Sequence, residues 1–266
     1  MIGAHGMLKT TRIGVGPRPV ILLHGFLGTG RNLSSLARRW AELDPSRSFL
    51  MPDLPGHGES PPPRGSDISD LARMLLETVR NEGIEGPLHI TGHSLGGRVG
   101  LAASLLEPSS VEAVDLLDIA PGPIATATSE SSRVLAKLLK APATAPDRSA
   151  MRRALEDLGV LPITASWLVM NVATTPEGVR WRIDREALGR LHERVNAADL
   201  WPAVEHPTAR IRCVRGGHSP YVSDEDARRM EAAGCPVATL PTAGHNVHVE
   251  AFEPLARILA GVDPWR

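Results

Sequence analysis

The feature that most constrains the fold is the stretch Leu88-His89-Ile90-Thr91-Gly92-His93-Ser94-Leu95-Gly96-Gly97. A short apolar run ends at Thr91, a serine sits between two glycines, and a helix-like segment (Arg98 to Leu106) begins at once. Gly92-His93-Ser94-Leu95-Gly96 reads as G-x-S-x-G, a strand-to-helix turn that lifts a serine hydroxyl out of a sheet. Such a turn strains the serine backbone, and a Cβ two residues to either side would collide with the turn or the sheet edge. In a chain with 25 glycines the pattern alone also fits a plain Gly/Ser turn. The decision rests on whether the rest of the chain supplies partners for a reactive serine.

The segments around this turn set the fold class. Val20-Ile21-Leu22-Leu23 and Ser48-Phe49-Leu50-Met51 are short apolar runs, the signature of strands buried on both faces of a parallel sheet. Leu8 to Val15 and Val111 to Ile119 read as further strands, the latter closed by Pro121-Gly122-Pro123. Between them, Asn32 to Leu43 carries apolar residues at three- and four-residue steps. Beyond a proline-rich loop, Ser60 to Arg64, a helix capped by Asp67 or Ser69 runs to about Asn81 on the stripe Ile68, Leu71, Leu75, Val79. Strands and helices alternate, which predicts a mostly parallel α/β sheet.

The alternation breaks over residues 123–206. Helix-like stretches follow there (Ser132 to Leu139, Ala150 to Leu158, Ile163 to Val172, Glu186 to Asn196), a helical insertion over the sheet and not an independent domain. Alternation resumes with Ala209 to Arg215, a helix from about Asp224 to Ala233, Val237 to Leu240 and a closing helix from about Pro254 to Leu259. The expected organisation is a core of residues 1–122 and 207–266 under a lid of residues 123–206.

Composition narrows the function classes. A net charge of −1 offers no electrostatic case for nucleic acid or an anionic membrane as partner. No apolar run approaches the ~18 residues of a membrane span. The start, Met1 to Gly6, lacks a basic segment followed by an apolar one, so a cytoplasmic location is expected. Cys213 and Cys235 then read as buried thiols. The oligomeric state is not encoded in any feature of this kind.

In open α/β sheets, ligands bind beyond the carboxyl ends of the strands. The strand ends here carry His24-Gly25-Phe26, Asp53, Ser94, Asp118 and His245. Those are donors, a nucleophile, an acid and a base, in the chain order Ser, Asp, His that accompanies the nucleophile elbow. A serine hydroxyl needs a neighbouring base to take its proton during attack. His245 is the candidate, with His248 its rival. The pair also has the spacing of two metal ligands but no acidic third ligand nearby, so no metal is assigned.

Taken together, Leu23-His24-Gly25-Phe26, Asp53-Leu54-Pro55-Gly56-His57-Gly58-Glu59-Ser60, Gly92 to Gly97 and Ala243-Gly244-His245 resemble the α/β-hydrolase superfamily. Within it the chain is similar to small bacterial short-acyl esterases and related mitochondrial abhydrolase-domain proteins. Asp118-Ile119-Ala120-Pro121, Val179-Arg180-Trp181-Arg182-Ile183 and Arg215-Gly216-Gly217-His218-Ser219-Pro220-Tyr221-Val222 carry that closer likeness. The resemblance implies an α/β-hydrolase fold, Ser94 as nucleophile, His245 as base, and supporting places for His57 and His93. The acid departs from the commoner pattern, since Ser219 stands where many members carry aspartate, and a serine cannot balance an imidazolium by charge. Some relatives place the acid at the end of the strand after the nucleophile helix, which is Asp118. Asp224 and Asp226 are the alternatives, with Asp115 a further one.

Backbone N–H groups of Phe26 and Leu95 are the candidate oxyanion donors. His24, Trp167, Leu168, Met170, Trp181 and Leu188 are candidate substrate-binding groups, most of them in the lid, and a mostly apolar pocket suits an acyl chain. The expectation is a serine hydrolase of carboxylic esters with short to medium acyl chains, needing no cofactor. The same groups serve thioesterases, C–C hydrolases and cofactor-free perhydrolases, and a non-catalytic ligand-binding protein could keep the fold.

Overall fold

A computed structural model describes residues 6–63, 65, 67–125 and 129–265. The start Met1 to His5, and Arg64 at the end of the proline-rich loop, lie outside the described residues. In chain order the first elements are β1 (Thr10–Ile13), β2 (Arg18–Leu23), α1 (Ser34–Leu43), β3 (Arg47–Pro52), α2 (Ile68–Asn81), β4 (Leu88–His93), α3 (Leu95–Leu106) and β5 (Val111–Leu117). Then come α4 (Glu130–Lys140), β6 (Thr144–Ala145), α5 (Arg148–Asp157), α6 (Pro162–Leu168), β7 (Val172–Thr175), β8 (Gly178–Trp181), α7 (Arg185–Ala197) and α8 (Trp201–Glu205). The chain closes with β9 (Arg210–Gly216), α9 (Asp224–Ala232), β10 (Val237–Leu240), α10 (Val247–Glu250) and α11 (Phe252–Leu259).

Seven strands form one sheet in the order β1-β3-β2-β4-β5-β9-β10. Every pairing is parallel except β1 with β3. Apolar side chains cover both faces. Along β2, Ile21 and Leu23 join the cluster under α2 and α3, while Val20 and Leu22 join the one under α1 and α11, as a period of two requires. That two-sided burial is why the strands read as unbroken apolar runs. Of the two candidate caps for α2, Asp67 holds the place: its carboxylate accepts from the Ser69 and Asp70 N–H groups, a contact of ~1 kcal/mol.

The segment between β5 and β9 crosses over the carboxyl ends of the sheet. Its sequence predicts a helical insertion, and besides helices it carries a three-stranded antiparallel sheet, β6-β8-β7. These strands have two to four residues, too few for alternation to declare itself against a helix end. Arg98 of α3 is fully buried and ties the two crossings together. It donates to Gly122 O at 2.7 Å on the outgoing crossing and to Val195 O at 3.1 Å on the returning one. Burial pulls its pKa down to about 10, so it remains a cation at neutral pH. Ile124 N to Asn196 O (2.9 Å) and Leu200 N to Pro121 O (3.0 Å) close the seam. Among the described residues no helix is long and apolar enough to cross a membrane.

Candidate active site

β4 ends at His93, α3 starts at Leu95, and Ser94 between them has φ +51° and ψ −116°. That backbone is strained for any residue with a Cβ, and its neighbours are packed too tightly to offer one more. A Cβ on Gly92 would lie 2.2 Å from the Gly96 carbonyl carbon, and one on Gly96 would lie 2.6 Å from Leu23 O. The two glycines of G-x-S-x-G are therefore steric requirements of the turn. α3 opens directly beneath Ser94, so its unpaired N–H groups and the positive end of its dipole face the serine.

Asp118 follows the end of β5 with φ +55° and is fully buried. Its Oδ1 accepts from Gly216 N at 2.8 Å, and its Oδ2 lies 2.7 Å from His245 Nδ1. The Ser219 hydroxyl donates to the same Oδ2 and itself accepts from Tyr221 N at 3.2 Å. The residue in the commoner acid position thus contacts the aspartate in the alternative one. Donating Nδ1–H to the carboxylate leaves His245 Nε2 with a free lone pair, the state a base requires.

The other acid candidates are engaged elsewhere. Asp224 pairs with Arg215 at 2.7 Å on the surface, and the Asp226 carboxylate accepts from the hydroxyl of Ser223, the N-cap of α9. Asp115 is sealed in the sheet between His89 and Arg212, at 2.7 and 2.8 Å.

The loop bearing His245 is fixed from three sides. His93 Nε2–H donates to His245 O at 2.9 Å. The Glu250 carboxylate accepts from Gly244 N (2.7 Å) and Asn246 N (3.1 Å), flanking the histidine. Tyr221 stacks on the imidazole with ring centroids 3.9 Å apart. Sequence reasoning missed Tyr221 and Glu250. Glu250 lies five residues after His245, on the short helix α10 that folds back on the loop, and that contact leaves no periodic signal.

The turn carrying Phe26 is locked in a similar way. His24 is buried; its Nε2 accepts from Leu54 N at 2.8 Å, so its Nδ1–H donates to Gly25 O at 2.8 Å. Asn171 Nδ2 donates to Leu27 O at 2.8 Å, beside the positive φ of Leu27. Burial pushes the pKa of His24 and of His248 down to about 4, and that of His57 to about 3. His93 is lowered well below the usual value, again by burial first. The belt around the site is therefore uncharged imidazole.

Ser94 and His245 border one cleft, which encloses about 810 Å³ counting its open mouth. Of the candidate substrate-binding residues, His24, Trp167 and Leu168 line it. Met170, Trp181 and Leu188 do not. Met170 turns its sulfur to Asn32 Nδ2 at 3.4 Å, and Trp181 donates to Pro142 O inside the cap. Leu188 packs over Gly56, where a Cβ would meet it at 3.2 Å. Val134 and Ser131 of α4 take wall positions instead. An apolar residue in a cap helix can face the site or its own neighbours, and composition does not separate the two.

A model of the alpha/beta hydrolase family matches residues 20–258. Esterase YbfF of Escherichia coli is 26% identical over 246 residues, covering 91% of each chain. The sn-1-specific diacylglycerol lipase ABHD11 of Danio rerio is 27% identical over 248 residues, covering 87% of this chain and 74% of that one. A solved marine microorganism esterase shares the fold with a TM-score of 0.82 at 24% identity, covering 96% of this chain and 98% of that chain. The chain belongs to the alpha/beta hydrolase family.

Proposed function

We propose that the protein hydrolyses carboxylic esters of short to medium acyl chain through an acyl-enzyme on Ser94. The observation that carries this reading is the 2.7 Å contact from Asp118 to His245 Nδ1 in the cleft that Ser94 borders. His245 Nε2 takes the Ser94 proton as the oxygen attacks the ester carbonyl, and Asp118 orients the ring and balances the imidazolium. Negative charge on the tetrahedral oxygen meets the N–H groups of Phe26 and Leu95, each such donor being worth ~3 kcal/mol. The protonated His245 then gives its proton to the leaving alcohol, and water repeats the cycle on the acyl-enzyme.

The names of YbfF and ABHD11, an esterase and a lipase, support the ester over its chemical neighbours. So does the wall of the cleft, whose described lining includes neither lysine nor arginine to meet a phosphorylated or carboxylate-bearing substrate. The test is turnover of short p-nitrophenyl acyl esters, which is expected in the wild type and lost in Ser94→Ala.

A further inference from the structure

Beside Ser94 the cleft adjoins a smaller recess of about 280 Å³ counting its open mouth, with free room for about one water-sized group. Phe26, Ser94, Ser131 and Tyr221 border both spaces, and the recess adds His192 and Asn196 from α7. Those last two are 3% and 6% exposed, polar groups buried where the cap meets the core. An apolar pair would pack there without desolvating amide and imidazole, a cost that the hydrogen bonds among these residues offset only in part. They form a chain: Asn196 Nδ2 lies 3.0 Å from His192 Nε2, the Ser131 hydroxyl lies 2.9 Å from the same nitrogen, and Tyr221 OH lies 3.5 Å from Ser131 Oγ.

The recess presents hydrogen-bonding groups without an available charge. Burial lowers the His192 pKa to about 4, so the imidazole is neutral. Arg98 borders the space, but its N–H groups are taken by the carbonyls of Gly122, Val195 and Ala198. An uncharged oxygen fits this set and a carboxylate does not. The direction of the substrate follows from the base. The leaving oxygen has to lie within reach of His245, which borders the cleft and is absent from the lining of the recess. The leaving group therefore extends into the cleft and the acyl end faces the recess.

We infer that the recess is an acyl-specificity subsite, in which Ser131, His192 and Asn196 select a short acyl group carrying a hydroxyl or keto oxygen over an all-carbon one. The inference rests on the ester-hydrolase reading. A hydroxyl in the recess can accept from one member of the chain and donate to another, whereas a methyl group in its place offers them no partner beyond those they already have in one another.

The test compares glycoloyl and propionyl esters of 4-methylumbelliferone, whose acyl groups differ by a hydroxyl in place of a methyl. In the wild type the ratio of kcat/KM values is expected to favour glycoloyl by about tenfold or more beyond the ratio of uncatalysed hydrolysis. His192→Phe and Asn196→Leu should bring it to within about threefold of the uncatalysed ratio. Ser131→Ala, at a half-exposed helix start, should move it the same way and serves if the buried variants fail to fold. A wild-type ratio equal to the uncatalysed one overturns the subsite, as does a preference unchanged by Ser131→Ala and by whichever buried variant folds. Loss of both activities in the wild type would instead remove the ester reading, and the subsite with it.

Discussion

Two aspartates three residues apart at the end of β5 each hold a histidine at 2.7 Å, and they have different surroundings. Asp115 sits within the strand, sealed against His89 and ion-paired to Arg212. Burial pushes its carboxyl up, but His89 and Arg212 more than reverse that and hold it at about 2. Asp118 lies just beyond the strand, at positive φ, with a backbone N–H and a hydroxyl as its further partners and a histidine that opens on the cleft. An Asp–His contact alone therefore does not mark an active site. Position past the strand end, and a histidine that borders the same cleft as Ser94, separate the proposed catalytic pair from the structural one.

Substitutions should separate the two pairs. The largest expected effect is loss of ~10⁴-fold or more in kcat on removing the nucleophile in Ser94→Ala, read with a short p-nitrophenyl ester. Asp118→Asn should cost ~10³- to 10⁴-fold in kcat while the protein stays folded by circular dichroism. Asp115→Asn should do the reverse, leaving turnover near wild type at low temperature. It should cost about 3 kcal/mol of stability, or roughly 10 °C in Tm, because it leaves buried charge without its partner. If Asp115→Asn abolished turnover in a folded protein, the two pairs would not be distinct.

Acid should act on the buried histidines before it reaches the Asp115 pair. His24 and His248 are folded with pKa values near 4, below the ordinary 6.5, so their burial is free above pH 6.5 and is opposed increasingly as pH falls toward 4. Each contributes a loss of about 3 kcal/mol over that window. The Asp115 carboxylate, held at about 2 against an ordinary 3.8, keeps its full stabilisation down to pH 3.8 and loses it only as pH falls toward 2. Tm should therefore drop steeply between pH 6.5 and 4, and a flat profile there would contradict the assignment. The smallest effect is expected from Asp224→Asn, which removes a surface ion pair whose carboxylate side chain is 80% exposed. It should change stability by less than ~1 kcal/mol and leave turnover in place.

Much of this was legible in the residues because core strands buried on both faces have a simple pattern, and because the serine turn has steric rules. Val20 to Leu23 and Val237 to Leu240 fall within or on strands β2 and β10, and the elbow stands where its glycines required. The cap was less legible. Its strands are too short to show a period, and Trp181, an obvious wall candidate, spends its indole N–H on Pro142 instead. The supports of the site, Tyr221 and Glu250, act through loops that fold back on His245. Ser219, in the place where many members of the family carry the acid, donates to Asp118.

The central claim is that Ser94 is the nucleophile. A fluorophosphonate probe followed by peptide mass spectrometry tests it directly, since the reagent forms a stable adduct only with a serine activated by its base. The account predicts a single adduct on Ser94 of the folded protein, absent from Ser94→Ala and strongly slowed in Asp118→Asn. Ester turnover with Ser94 unlabelled, or turnover that survives in Ser94→Ala, would contradict it.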